Sequence, residues 1–264
     1  MPDLYAPDGT RLALHDFGGS GTPVLLLPGL CGQAGEWSAT VDGLVGAYHV
    51  FALDPRGHGD SERRPTDVSR DAHVADAAAV LGAVGPAVVI GQSLGGHTAF
   101  LTAARHPGLV TELVMVEAGP QGPDDDTPDR IDRWLGDWPV PFPDPAVAAR
   151  YLGGGLVGSG WARGLRQRDD GWYPAFDRDV MVATIAAAIG PRWEEFARIG
   201  CPTLVVKGGA GSLDPDEYAR MSRHPMVTAV EIPGAGHDLH LDSPDRWRRE
   251  LGDFLARAPG RPVS

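Results

Sequence analysis

The chain has 264 residues, 42% of them hydrophobic and 22% charged, with a formal net charge of −12. This length and balance suit one large α/β domain or two small ones around a substantial core, and exclude a disordered or fibrous chain. The acidic excess argues against nucleic acid or an anionic membrane as the main partner, and no apolar run approaches the ~20 residues of a membrane span. Leu4 to Asp16 reads as two short strands around the turn Pro7-Asp8-Gly9. Val24-Leu25-Leu26-Leu27 is a continuous apolar run, the pattern of a strand buried on both faces, and it ends at Pro28-Gly29-Leu30-Cys31-Gly32. A helix is expected around Trp37 to Val45. His49 to Leu53 is the next strand, and it runs into Asp54-Pro55-Arg56-Gly57-His58-Gly59-Asp60-Ser61. Arg70 to Val84 is Ala-rich and helical.

Val88-Val89-Ile90 leads directly into Gly91-Gln92-Ser93-Leu94-Gly95, and a helical stretch follows from Gly96 to Ala104. Gly-x-Ser-x-Gly between a strand and a helix describes a sharp turn that needs small neighbours and lifts the Ser93 hydroxyl clear of the sheet. The Leu94 amide then sits at the first turn of a helix, where free N–H groups favour negative charge. One turn thus offers a nucleophile and half of an oxyanion hole. His106-Pro107-Gly108 stops the helix, and Leu113 to Val116 is a further buried strand ending at Glu117. The alternation predicts right-handed crossovers and a mostly parallel sheet.

At Gly119 the rhythm breaks. Gly119 to Pro145 is rich in Pro and Asp, and Val147 to Ile189 shows helical patches without a buried strand. Four of the seven tryptophans fall here. We read the stretch as a helical lid, with Trp134, Trp138, Trp161, Trp172 and Tyr173 as candidate pocket residues for an apolar or aromatic substrate; about half of its aromatics are expected to form only the lid's own core. The sheet resumes at Thr203 to Val206. A helix begins near Asp214-Pro215, Val227 to Ile232 is the last strand, and Pro233-Gly234-Ala235-Gly236-His237-Asp238 precedes a closing helix from Pro244 to Ala256. A serine hydroxyl needs a base within hydrogen-bond reach, and His237, in a Gly-flanked loop after the last strand, is the candidate.

Four motifs together resemble the α/β-hydrolase family over nearly the whole chain: Pro28-Gly29-Leu30, Asp54-Pro55-Arg56-Gly57-His58-Gly59-x-Ser61, Gly91-Gln92-Ser93-Leu94-Gly95, and Gly236-His237 before the final helix. The resemblance implies a mostly parallel eight-stranded sheet flanked by helices, with residues 1–118 and 200–264 as the core and 119–199 as a helical cap. It implies that the Leu30 amide completes the oxyanion hole, with Pro28 where the family usually has His. It makes the Asp54–Ser61 loop structural. It also places the acid partner of His237 in the loop after Thr203–Val206, where the expected positions hold Gly211 and Ser212. Asp214 is close by, but Asp-Pro opening a helix with Glu217 three residues on is a helix cap pattern. Glu117, directly after a buried strand at the ligand-binding edge of the sheet, is favoured over Asp214.

A serine nucleophile points to acyl chemistry. The leading expectation is a hydrolase of a carboxylic ester or lactone, acting on a small to medium, fairly apolar substrate. Carbon–carbon bond hydrolysis and acyl transfer on the same residues are alternatives, and a small-molecule sensor is a reading of another class. Cys31 and Cys201 form neither a disulfide framework nor a metal site, Asp124-Asp125-Asp126 reads as a solvated acidic run, and no dinucleotide fingerprint appears. No metal, cofactor, nucleic-acid or membrane partner is expected. Residues 1–5 carry no secretory pattern, so a cytoplasmic protein is expected; as to assembly, a monomer or homodimer is expected.

Overall fold

A computed structural model describes residues 4–257; the remainder of the predicted core, residues 1–3 and 258–264, lies outside the described residues. The chain opens with β1 (Leu4–Tyr5), β2 (Arg11–Gly19) and β3 (Thr22–Leu27). A short 3-10 turn at Ala34–Trp37 leads into α1 (Ser38–Leu44), and β4 (Tyr48–Asp54), α2 (Arg70–Val84), β5 (Ala87–Gln92), α3 (Leu94–Arg105) and β6 (Val110–Val116) follow. Next come α4 (Thr127–Gly136), α5 (Pro145–Tyr151), α6 (Gly155–Ala162), β7 (Arg166–Arg168), β8 (Gly171–Tyr173), α7 (Arg178–Ala186) and α8 (Trp193–Phe196). The chain closes with β9 (Thr203–Gly208), α9 (Pro215–Met221), β10 (Val227–Ile232), α10 (Leu239–Asp242) and α11 (Pro244–Ala256).

One eight-stranded sheet runs β1-β2-β4-β3-β5-β6-β9-β10. Strands β1 and β2 are antiparallel at one edge, and β3, β4, β5, β6, β9 and β10 are mutually parallel. The apolar runs explain the layering. Alternate residues point to opposite faces, so Leu25, Leu27, Val89, Leu113 and Val205 join one buried cluster while Val24, Leu26, Val88, Val114 and Val206 join another. Both faces are covered, as a parallel sheet requires. Each fully buried Leu, Ile or Val side chain contributes roughly 1.5–3 kcal/mol relative to exposure, and the strands share both cores with the helices packed on them, Val74, Leu81 and Phe100 on one face and Val41, Trp247 and Leu251 on the other.

The segment between β6 and β9 has an apolar cluster of its own, centred on Trp138, Phe142, Leu165 and Met181. It also holds the antiparallel pair β7–β8, where helical patches were expected. The pair turns at Asp169-Asp170 with Gly171 at φ +148, a backbone region glycine alone enters readily. Phe196 and Ile199, inside the predicted 119–199 segment, are buried in the same cluster as Phe100 of α3. No helix of the described residues is long and apolar enough to cross a membrane.

Candidate active site

The parallel strands β3, β5, β6, β9 and β10 end at one edge of the sheet, and the candidate residues sit on the turns that leave it. Ser93 follows β5 with φ +50 and ψ −119, a conformation costly for a non-glycine residue that persists only where packing enforces it. The packing is tight. A Cβ on Gly95 would overlap the carbonyl oxygens of Leu27 and Pro28, and one on Gly91 would overlap the backbone of Gly95. The Ser93 amide donates to Val116 O at 2.9 Å. Its hydroxyl does not cap α3. Leu94 begins α3, whose first amides have no partner within the helix. The Pro28–Leu30 turn lies against the elbow: a Cβ on Gly29 would sit 3.2 Å from Ser93 Cβ. Ser93, Leu30, Leu94, Glu117 and His237 all line one cavity of about 1230 Å³.

Glu117 follows β6, also at positive φ (+49), with its side chain fully buried. Its Oε1 accepts the Gly208 amide at 2.6 Å; its Oε2 accepts the amides of Ser212 at 2.7 Å and Leu213 at 3.1 Å. His237 Nδ1 lies 3.3 Å from the same Oε2. Burial pushes the Glu117 carboxyl up, but the hydrogen bonds from His237 and from the Gly208 and Ser212 amides outweigh it and hold the group below its ordinary range. A carboxylate can only accept, so its contact with His237 requires the proton to be on Nδ1 and leaves Nε2 as the ring's other nitrogen.

Asp214 is occupied elsewhere. Its Oδ1 accepts the amides of Asp216 and Glu217 at 2.9 Å, capping α9. The expected reciprocal half of that cap is missing, because the Glu217 carboxylate accepts the Gln121 amide at 2.6 Å instead. The Asp54–Ser61 loop is held structurally: Asp54 accepts the amides of Ala34 and Asp60, and Arg56 grips Asp76 at 2.7 and 2.6 Å. His15, Asp54 and Asp60 form the one set of three metal-ligand groups found among the described residues, but both Asp54 oxygens are taken by those amides and by His15 Nε2 at 2.9 Å.

Of the five aromatic residues expected in the pocket, Trp134 and Trp161 line the cavity and the other three do not. Trp138 is 6% exposed and stands against Phe142 and Phe176 in the segment's own core. Trp172 is tied by its backbone to Phe142. Tyr173 donates to Asp170 at 2.7 Å, with the Arg168 guanidinium 4.4 Å above its ring. Place in the Trp-rich segment was not enough to put a ring in the pocket: Trp138 packs into the segment's core, and β8 gives Trp172 to that core and Tyr173 to its own turn. The cavity also takes Trp193 and Arg220, which sequence reading missed; the Arg220 guanidinium stacks 3.7 Å over the Trp193 ring. They come from α8 and α9, distant in sequence from each other and from the aromatic stretch, so no local pattern joins them. Ser212, whose hydroxyl meets His237 Nδ1 at 2.8 Å, had one sequence signal: it stands where the family resemblance expects an acid.

The chain is 35% identical over 267 residues to the sn-1-specific diacylglycerol lipase ABHD11 of Danio rerio, covering 95% of this chain and 83% of that one. It is 24% identical over 252 residues to the 2-(acetamidomethylene)succinate hydrolase of Mesorhizobium japonicum, covering 90% and 89%. The crystal structure of an E-2-(acetamidomethylene)succinate hydrolase superposes with a TM-score of 0.87 at 23% identity, over 96% of this chain and 97% of that one, and shares the fold. The model of the alpha/beta hydrolase family matches residues 24–250, a span that takes in the β3 turn, the elbow, Glu117 and His237, and on this ground the chain belongs to the α/β-hydrolase family.

Proposed function

We propose that the protein is a serine hydrolase that cleaves a carboxylic ester or lactone through an acyl-enzyme. The observation that carries the reading is the convergence, in one cavity, of a strained Ser93 with a histidine whose Nδ1 is held by a buried carboxylate. In this reading His237 Nε2 takes the Ser93 proton as Oγ attacks the substrate carbonyl, and the Leu30 and Leu94 amides hold the oxyanion. The imidazolium then gives its proton to the leaving alcohol. Water, deprotonated by His237, attacks the acyl-enzyme, and Ser93 leaves with the proton returned. Residues 119–199 act as a cap over the cavity, and Trp134 and Trp161 give part of its wall an apolar character suited to a fairly apolar acyl or alcohol group.

The test is labelling with a fluorophosphonate, which reacts with activated serines, with the adduct located by mass spectrometry. A single adduct on Ser93 is expected, absent in Ser93→Ala. Glu117→Gln is expected to slow labelling by roughly 10²–10⁴-fold, the scale of positioned acid–base groups, while Asp214→Asn labels at the wild-type rate. No adduct on folded wild-type protein would sink the proposal. The two relatives are named for a diacylglycerol and for a substituted succinate, so the substrate panel should span neutral esters, lactones and dicarboxylates.

A further inference from the structure

Resting on that reading of Ser93 and His237, the geometry points to Ser212 as a positioning residue that relays the Glu117 charge to His237. Three distances carry it. Ser212 Oγ is 2.8 Å from His237 Nδ1, whereas Glu117 Oε2 is 3.3 Å from the same nitrogen. Ser212 Oγ donates to Glu117 Oε2 at 3.4 Å. The shorter contact to the histidine therefore belongs to the hydroxyl. A hydroxyl has one proton to give and two lone pairs to accept with, and a carboxylate only accepts. With the Ser212 proton directed at Oε2, its oxygen is free to accept the Nδ1 proton, so Nδ1–H is shared between Ser212 Oγ and Glu117 Oε2. Each donor in the chain is aimed at an acceptor, and the charge that develops on His237 when it takes the Ser93 proton meets the hydroxyl oxygen first and the carboxylate behind it.

The loop is built to hold the hydroxyl there. The Ser212 amide donates to Oε2 at 2.7 Å, so one residue grips the carboxylate through its backbone and the histidine through its side chain. A Cβ on Gly211 would overlap the Glu117 carboxylate, so the loop closes directly onto it. The His237 side chain is 40% exposed, and packing alone does not fix its ring.

The experiment compares wild type, Ser212→Ala, Ser212→Thr, Glu117→Gln and the double variant Glu117→Gln with Ser212→Asp. It follows fluorophosphonate labelling of Ser93 and steady-state hydrolysis of a p-nitrophenyl ester. Ser212→Ala keeps the backbone donor to Glu117 and removes only the hydroxyl. It is expected to lower kcat and the labelling rate about 10-fold, the scale of one hydrogen bond to a charged group, with KM within about twofold. Ser212→Thr restores both. The double variant regains activity over Glu117→Gln alone, because its carboxylate stands at the hydroxyl's place beside Nδ1. Wild-type kcat in Ser212→Ala, or a change confined to KM, overturns the relay, as does a double variant no faster than Glu117→Gln. Absence of any Ser93 adduct in the wild type removes instead the reading on which the relay rests.

Discussion

Glu117 and Asp214 are two carboxylates near one loop, separated by what their oxygens already hold. Glu117 accepts three backbone amides and faces His237, whereas Asp214 spends its Oδ1 on the first turn of α9. Removing the cap with Asp214→Ala is therefore expected to cost about 1 kcal/mol of stability, read as a lower urea midpoint, with the Ser93 labelling rate unchanged. A slowed label with an unchanged midpoint would reverse the two roles. Much of this was legible in sequence. Glu117 follows the unbroken apolar run Leu113–Val116, which fixes its place at the sheet edge, and Asp-Pro before a helix announces a cap. The position of Ser212 was marked by the family resemblance, but the direction of its hydroxyl was not legible, because Gly208-Gly209-Ala210-Gly211-Ser212 has no periodicity from which a side-chain direction could be read.

Among the elements, α6 reaches from the segment between β6 and β9 to the loop that carries His237. Trp161 Nε1 donates to Asp238 Oδ2 at 3.1 Å, and Gln92, next to Ser93, donates through Nε2 to His237 O at 3.2 Å and to Asp238 Oδ1 at 3.5 Å. Opposite, Arg63 and Arg64 of the core bind Asp177 at the start of α7. Trp161→Phe keeps an aromatic wall and deletes the donor. Losing roughly 1 kcal/mol of hydrogen bonding should raise KM several-fold for esters that fill the cavity while leaving labelling by a small fluorophosphonate nearly unchanged, as Michaelis kinetics would register. Elements with clear local signals were visible in sequence: the Ala-rich α2, the strand β10 and the closing helix α11 span the expected residues. β7 and β8 were not, since three residues each are too few to separate a period of two from one of 3.6.

For the whole molecule, the buried histidines set a limit on acid tolerance. His58, His73 and His97 are buried, and burial lowers the pKa of each, that of His58 from 6.5 to about 4. His58 and His73 line a small cavity of about 20 Å³ beneath the elbow. Unfolded, His58 takes a proton near pH 6.5; folded, it resists until about pH 4. Stability present above pH 6.5 is thus lost as pH falls toward 4, and His58 alone should cost about 2 kcal/mol at pH 5 relative to neutral pH. Glu117, whose folded carboxyl is depressed, acts lower: its contribution is present above the ordinary carboxylate range and disappears only as pH falls beneath it. Urea midpoints at pH 7.5, 6 and 5 check this. The expected course is a steady fall, and a flat profile would mean that the histidines are solvated or paired on acidification.

The register of β5 and β6 has a consequence for how the protein is made. Gln92 pairs with Val116, and the Ser93 amide binds Val116 O, so serine and glutamate lie at the ends of neighbouring strands and leave the ribosome close together. His237 is 120 residues further on, and the amides that hold Glu117 belong to Gly208, Ser212 and Leu213. Under the proposed mechanism, a nascent chain that has emerged only through β6 carries its serine without the proposed base and its glutamate without these donors. Such a chain is expected to stay unlabelled by a fluorophosphonate until β9, β10 and the histidine loop have emerged and docked.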